Sequence, residues 1–266
     1  MKKILFGLLA LTLPVLIHAQ DDQGGSSADD LAKKLQNPIA SIISVPFQNN
    51  FDFGIGPFDG SRWTMNMQPV IPISIGPEWN LITRTVIPLI SQNDVFAPGS
   101  SQTGLSDMVA SAWFSPKEPT PSGLIWGAGP VLLVPIATDE LLGTEKFGVG
   151  PTVVILQQAG AFTYGGLVNH IWSVAGSDTR ADVNQSFIQP FVARNFPGGY
   201  ALTAVAEITQ NWEFDASSGV FAIVGSKVVT IGKQATQVAV GPRVFFGNAK
   251  AANWGLRAAF TLLFPK

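Results

Sequence analysis

Near its carboxyl end the chain reads Trp254-Gly255-Leu256-Arg257-Ala258-Ala259-Phe260-Thr261-Leu262-Leu263-Phe264. Successive side chains of an extended chain point to opposite faces, so residues two apart share a face. One face then carries Arg257 and Thr261 with the small residues Gly255 and Ala259. A period of two predicts a β-strand with one polar and one apolar face. The apolar face holds Trp254, Leu256, Ala258, Phe260, Leu262 and Phe264.

The same alternation occurs near the start of the chain, between residues 62 and 73. Trp63, Met65, Met67, Ile71 and Ile73 share one face, and Arg62, Thr64, Asn66 and Gln68 share the other. A soluble β-sandwich also alternates in this way, so alternation alone does not separate it from a membrane barrel. The spacing of the strands does separate them.

Turn residues interrupt the chain after Asn37 at regular intervals and divide it into twelve predicted strands. A strand with its turn takes about 19 residues, which suits membrane spans of about 9–11 residues and exceeds the roughly 5–6 of a sandwich strand. The odd-numbered connections are the longer set, as expected when they are the external loops of an outer-membrane barrel. The breaks fall near 54–61, 76–79, 92–103, 115–123, 137–146, 157–160, 174–184, 195–199, 211–219, 232–235 and 247–253.

The amino-acid composition indicates that part of the protein surface contacts something other than water. Charged residues make up 13% of the chain, about half of the roughly 25% found in soluble domains. The absence of cysteine excludes a disulfide framework and a thiolate nucleophile. Since His18 and His170 are the only histidines, we expect no metal site, and we expect no cofactor. The formal net charge of −2 argues against nucleic acid as a partner.

The amino terminus has the pattern of an export signal. Met1, Lys2 and Lys3 precede an apolar run from Ile4 to Ile17, and a cut after Ala19 would remove residues 1–19. An uncleaved membrane anchor is the alternative, but this run is too short for a span of about 20 residues. We therefore expect an exported outer-membrane protein with a periplasmic segment at 20–38 and a barrel at 39–266. Its expected partners are outer-membrane lipid and the membrane-insertion machinery, and we expect a monomer.

The segment 20–38 contains a short helical pattern. Leu31 and Leu35 lie four residues apart within 29–35, and Ser27 or Asp29 can cap the helix. Because so short a helix is unstable alone, we expect it to pack against or into the periplasmic mouth of the barrel, with its acidic pair contacting groups such as Arg84. A disordered remnant of the leader is the alternative.

All seven tryptophans fall near predicted strand ends. Tryptophan favours the two interfaces of a membrane, so these residues are expected to form interfacial aromatic girdles. Capping of a hydrophobic core is the other interpretation. The residues are Trp63, Trp79, Trp113, Trp126, Trp172, Trp212 and Trp254.

Charged residues inside the strands predict the barrel interior. Arg243, Arg257 and Glu207 lie opposite apolar neighbours, and an arginine at mid-depth in lipid costs about 2–4 kcal/mol, so they are expected to line the lumen. Arg84 and Asp107 are expected to join them. Such residues either hold a narrow barrel together by ion pairs or form a polar filter that orients a permeant.

Several phrases of the chain resemble a known family. The resemblance lies in Leu35-Gln36-Asn37-Pro38, in residues 44–50 (SVPFQNN), in 68–72 (QPVIP), in 79–85 (WNLITRT), in Gln189-Pro190-Phe191 and in the closing stretch 254–266. The family is the bacterial outer-membrane proteins named after the phenol meta-degradation pathway, whose members are labelled "transporter" or, wrongly, neuromedin U. The resemblance covers nearly all of the chain after the leader. It implies an outer-membrane barrel and passage of small or hydrophobic molecules, with no catalytic residue to transfer.

The sequence therefore predicts an all-β protein: a transmembrane, antiparallel, up-and-down β-barrel of about twelve strands with a short amino-terminal helix. We expect a channel or facilitator for small solutes, hydrophobic or aromatic ones among them, and no enzyme. A non-conducting structural or adhesive barrel is the first alternative. A barrel-embedded hydrolase is the second, and it would use His170 with a serine beside it across a strand pair.

Overall fold

The computed structural model describes residues 27–265. The predicted leader and its cleavage site lie outside the described residues, as does 20–26 of the predicted periplasmic segment. Among the described residues, no helix is long and apolar enough to span a membrane.

A short helix precedes a long series of strands. Helix α1 spans Ala28–Leu35, and a single 3-10 turn spans Gly56–Phe58. The strands in chain order are β1 (Ile43–Ile55), β2 (Gly60–Met67), β3 (Val70–Ser74), β4 (Trp79–Asn93), β5 (Ser101–Leu105), β6 (Met108–Pro116), β7 (Leu124–Val134), β8 (Lys146–Ala159), β9 (Phe162–Gly176), β10 (Asn184–Phe196), β11 (Tyr200–Asn211), β12 (Ala216–Ile231), β13 (Gln234–Phe246) and β14 (Trp254–Phe264).

Two crossings of the barrel are each divided into two strands. Gln68-Pro69 separates β2 from β3, and Ser106-Asp107 separates β5 from β6. Proline has no N–H for the strand ladder, but pairing continues beside the first break because the Thr85 N–H donates to the Pro69 carbonyl (3.1 Å). The fourteen strands of the described region thus make twelve crossings.

The sheet closes on itself. Consecutive crossings pair antiparallel, and β14 lies against β1 from Ile43 opposite Phe264 to Phe53 opposite Trp254. Closure leaves no row of unpaired backbone groups at either edge. The prediction of a closed antiparallel barrel of twelve strands with a short amino-terminal helix is confirmed.

The connections are longer on average at one end of the barrel, but the predicted alternation holds only from residue 135 onward, because the first four connections are equal in pairs. At the end where β1 begins and β14 ends, the turns cover 75–78, 117–123, 160–161, 197–199 and 232–233. Gly160 and Gly232 begin the two tightest turns with φ of 59° and 64°, the left-handed conformation that such hairpin turns require. The connections at the opposite end cover 56–59, 94–100, 135–145, 177–183, 212–215 and 247–253.

Exposure along β14 has the predicted phase. Trp254, Leu256 and Phe260 are exposed on the outside of the barrel, whereas Arg257 and Thr261 are buried inside. The same outward apolar face occurs around the barrel, for example at Val153, Ile188 and Ile223. An apolar exterior with polar groups inside is the arrangement of a barrel surrounded by lipid.

The amino-terminal segment fills part of the interior. Ser27 caps α1 by accepting the Asp30 N–H (3.1 Å), and Leu31 and Ala32 pack against Val228 and Leu263 of the wall. Further along, Ile39 is buried in a second cluster with Ile82 and Trp113. The helix alone would be unstable, so these contacts hold it.

Candidate functional site

Near the end of the barrel that holds the connections 56–59 and 247–253, the interior contains an ion pair that bridges three strands. Arg243 of β13 donates to Asp52 Oδ1 of β1 at 2.5 Å. Gly255 of β14 lies between them, opposite both residues in the strand register. Both charged side chains are buried. Asp52 was not among the predicted lumen residues, although its position between Phe51 and Phe53 is the alternation that marks an inward residue.

The row of inward side chains continues at the same level. Arg62 lies opposite Asp52 on one side and Gln92 on the other. Its Nε donates to Gln92 Oε1 (2.8 Å), and Gln92 Nε2 donates to Gln102 Oε1 (3.0 Å). Arg62 was assigned to the polar face of its strand but was not singled out as a site residue.

A second charge pair crosses the interior one level away. Arg257 of β14 donates from both terminal nitrogens to the two carboxylate oxygens of Glu207 on β11 (2.9 and 3.1 Å). Its Nε donates to Asn50 Oδ1 (2.9 Å), and Gln189 Nε2 donates to Glu207 (3.3 Å). This two-pronged geometry is the strong form of a carboxylate–guanidinium bond. The structure therefore brings together two of the predicted lumen residues.

Arg84 of β4 has a different kind of partner. Its Nη2 donates to the amide oxygen of Gln68 (2.6 Å), which belongs to the break between β2 and β3. Among the described residues, no carboxylate forms an ion pair within 4.0 Å of Arg84. The expected contact between Arg84 and the acidic pair of the helix is wrong, because Asp29 Oδ1 instead accepts the Gly199 N–H at the 197–199 turn.

These interior groups carry an excess of positive charge. Counting the residues just described, four guanidinium groups (Arg62, Arg84, Arg243 and Arg257) face two carboxylates (Asp52 and Glu207). Each carboxylate is already bonded to one arginine. An excess of fixed charge of one sign raises the local concentration of ions of the other sign.

Asp107 does not share this interior network. Its carboxylate accepts the Thr144 N–H and hydroxyl (2.6 Å each) and the Ala137 N–H (3.4 Å), all from the connection 135–145. The residue lies at the β5–β6 break, where the strand ladder is interrupted and a loop can reach its side chain. Asp107 therefore anchors a loop, and its assignment to the lumen stays a prediction.

The loops 135–145 and 177–183, at the same end of the barrel, are also joined by charged side chains. Lys146 donates to Asp182 at 2.9 Å, and Ser173 donates to the same carboxylate oxygen at 3.1 Å. The hydrogen bond from Lys146, followed by that from Ser173, lowers the pKa of Asp182 below its ordinary value. Arg180 donates to the carbonyls of Glu140 and Gly143 (2.9 and 2.6 Å). The connections 135–145 and 177–183 thus hold each other in place.

Two cavities flank the amino-terminal segment inside the barrel. The first, of about 230 Å³, lies between the segment and the wall and reaches Arg84. The second, of about 190 Å³, lies on the other side and borders the 117–123 turn. Lys34, Asn37 and Ala40 line both, so the cavities adjoin at the segment. This arrangement narrows the lumen without filling it.

The tryptophans lie at two levels, with one exception. Trp79 and Trp126 meet edge to face at the end where β1 begins and β14 ends (6.0 Å between ring centroids). Trp113 is 0% exposed, donates to Thr152 Oγ1 (3.2 Å) and faces inward, so its assignment to the girdle is wrong. Because Phe114 follows it directly, only one of the two can face outward, and Phe114 does. At the opposite end lie Trp63, Trp172, Trp212 and Trp254.

His170 lies on the outside of the barrel in a polar cluster. Its Nδ1 is 2.8 Å from Ser186 Oγ and its Nε2 is 3.1 Å from Asn184 Oδ1, across the β9–β10 pair. Trp212 Nε1 also donates to Ser186 Oγ (2.9 Å). A serine beside the histidine is what the hydrolase alternative requires. Among the described residues, no group of histidine, aspartate and glutamate side chains forms a metal site.

The class that this geometry defines is a twelve-stranded outer-membrane-type β-barrel of porin-like architecture with a narrowed lumen. Comparison with solved structures finds the same fold in the COG4313 outer membrane channel from Pseudomonas putida F1. The two share 15% sequence identity and a TM-score of 0.63 over 84% of this chain and 94% of that one. The low-pH structure of Pseudomonas putida OprB aligns over 87% of this chain and 95% of its own, with 7% sequence identity and a TM-score of 0.32. No family model matches the chain, and no curated protein does.

Proposed function

We propose that this protein is an outer-membrane channel or facilitator for passive passage of small solutes, including hydrophobic and aromatic ones. The observation that carries this proposal is the pair of cavities that adjoin at the amino-terminal segment inside a closed barrel. A lumen packed solid would leave no such space. The COG4313 channel supports the proposal by its fold.

Reconstitution tests this function directly. The protein is inserted into a planar bilayer and single-channel current is recorded in KCl, with a heat-denatured sample as the control. Discrete conductance steps are expected from the native barrel. Their absence, together with no release of small solutes from proteoliposomes, would favour the non-conducting structural alternative, in which the interior ion pairs serve only to hold the barrel together.

The proposal includes a location and partners. The chain is proposed to lose its leader, to be inserted by the outer-membrane insertion machinery and to reside there as a monomer in contact with lipid. Cell fractionation and unheated gels test this, because a folded barrel migrates differently before and after heating. Recovery as a soluble periplasmic species would contradict it.

A second candidate function rests on the His170 cluster. If Nε2–H donates to Asn184, Nδ1 is left free to accept the Ser186 hydroxyl proton, as in serine hydrolases. The serine oxygen also accepts the Trp212 N–H, which lowers its nucleophilicity and makes this the second candidate. Purified protein would be assayed for fatty-acid release from phospholipid micelles. Activity that Ser186→Ala removes and Ser218→Ala leaves intact would establish it.

A further inference from the structure

Among the described residues 27–265, the charged side chains that line the two interior cavities are all basic. Lys34 lines both, Arg84 lines the larger and Lys117 the smaller. Of the residues that the structure describes, no aspartate or glutamate contributes to either wall. A solute that enters this space therefore lies close to these basic side chains, so the space favours an anion.

Arg84 is the group in this space that most needs an anion. It is bonded to the neutral amide of Gln68 and not to a carboxylate, and Glu207 is taken up by both terminal nitrogens of Arg257. A guanidinium group inside a protein is costly without a counter-charge. Its planar set of N–H donors fits a carboxylate better than a point-like halide.

The rest of the larger cavity is lined by apolar side chains together with polar ones such as Gln189 and Thr261. Leu35, Pro38 and Ile42 come from the amino-terminal segment, and Val70 comes from the wall next to Arg84. The volume of about 230 Å³ lies below the roughly 300–1,000 Å³ of pockets for drug-sized ligands. The cavity therefore suits a small ligand that consists of a single ring or a short hydrocarbon chain with one charged group.

We propose that the larger cavity is a binding site for small monocarboxylates that carry an apolar group. Arg84 binds the carboxylate, and Leu35, Ile42 and Val70 contact the apolar group. This proposal rests on the proposed channel function, because it places the binding site on the permeation path. Lys34 lines both cavities, which adjoin at the amino-terminal segment.

Binding is measured first, because it does not depend on conduction. The full chain in detergent is titrated with 4-fluorobenzoate and, separately, with neutral 4-fluorobenzamide, and the fluorine signal is followed by NMR. We expect binding of the benzoate and at least tenfold weaker binding of the amide. Arg84→Gln should weaken benzoate binding at least tenfold, and Arg84→Lys should weaken it less, since the charge remains.

Arg194→Gln is the matched control, because Arg194 is a basic residue on the outside of the barrel, over the rings of Phe162 and Phe196. It should bind benzoate as the wild type does, and heat-modifiable migration shows that each variant is folded. Equal binding of benzoate and benzamide, or benzoate binding unchanged in folded Arg84→Gln, would overturn the inference.

Bilayer recordings separate this inference from the channel proposal. If the protein conducts, 4-fluorobenzoate should reduce the wild-type current at concentrations at least tenfold below those needed for Arg84→Gln. Conduction without benzoate binding would overturn the carboxylate site and leave the channel proposal standing. Binding without conduction would support the site and contradict the channel.

Discussion

Arg243 and Asp52 stand 191 positions apart in the chain and form a buried ion pair across Gly255, the residue that lies opposite both of them. The pair spans β13, β14 and β1, which includes the seam where the last strand meets the first. Gly255 has no side chain to separate the two charged groups. These three residues therefore join the closing seam of the barrel to the charge network of its interior.

Gly255→Val should impair folding. A β-carbon at this position would lie 2.6 Å from the Phe51 carbonyl oxygen and would overlap Asp52 Oδ1. Overpacking of this kind costs about 1–3 kcal/mol. Urea unfolding in lipid vesicles, followed by tryptophan fluorescence, measures the loss. Gly225→Ala is the control, because the nearest atom there is 3.9 Å away, and an equal loss in both variants would contradict the argument.

Arg243→Gln should destabilise the barrel more than the double variant Asp52→Asn/Arg243→Gln. The single change leaves a buried carboxylate without its charged partner, which costs about 3–5 kcal/mol, whereas the double change removes both charges. The same unfolding assay gives the three values of a double-mutant cycle that includes Asp52→Asn. Additive effects would mean that the two side chains do not interact.

Leu256→Arg and Phe260→Arg should each harm folding more than Thr261→Arg. The first two positions face lipid and the third faces the interior, and an arginine on the lipid face at mid-depth costs about 2–4 kcal/mol. Folding yield into lipid vesicles is compared for the three variants. Equal yields would show that the assigned faces of β14 are reversed.

Deletion of residues 20–36 should raise single-channel conductance. The deletion removes α1 and its contacts with Val228, Leu263 and the Gly199 turn, and it takes away Lys34 and Leu35 from the cavity wall. Asp30→Asn is the control, since Asp30 is exposed and the helix remains. Conductance, noise and open time equal to those of the wild type would remove support for the segment as a constriction.

The carboxyl group of Asp182 should titrate below the ordinary aspartate value of about 3.9. Because the hydrogen bond from Lys146 lowers this pKa, the stabilisation it provides is present above the ordinary value and is lost as the pH falls through the lowered one. Carbon NMR of the labelled side chain follows the titration. Lys146→Met should move the midpoint upward, and Lys250→Met, which affects a contact with Asn253, should not.

The architecture could be read from local pattern. Alternation in 254–264, the regular turns and the alternating lengths of the connections predicted twelve crossings, and the inward phase of Arg257 and Arg243 followed from the same period. The helix at 28–35 was also predictable, because its cap at Ser27 and its leucines lie within one short stretch. Each of these features depends on residues close together in the chain.

The partners inside the barrel were decided by the tertiary structure. A period of two assigns each side chain to the inner or the outer face of the barrel. The residue that an inward side chain meets depends on how the strands are staggered around the closed sheet. Asp52 reaches Arg243 only because β14 stands between their strands with a glycine at that level. Asp107 meets a loop because the strand ladder is interrupted beside it. Trp113 differs from expectation because two adjacent aromatics compete for one outward position. Local alternation assigns a side chain to a face, whereas closure and stagger choose its neighbours, because they bring together strands that lie far apart in the chain.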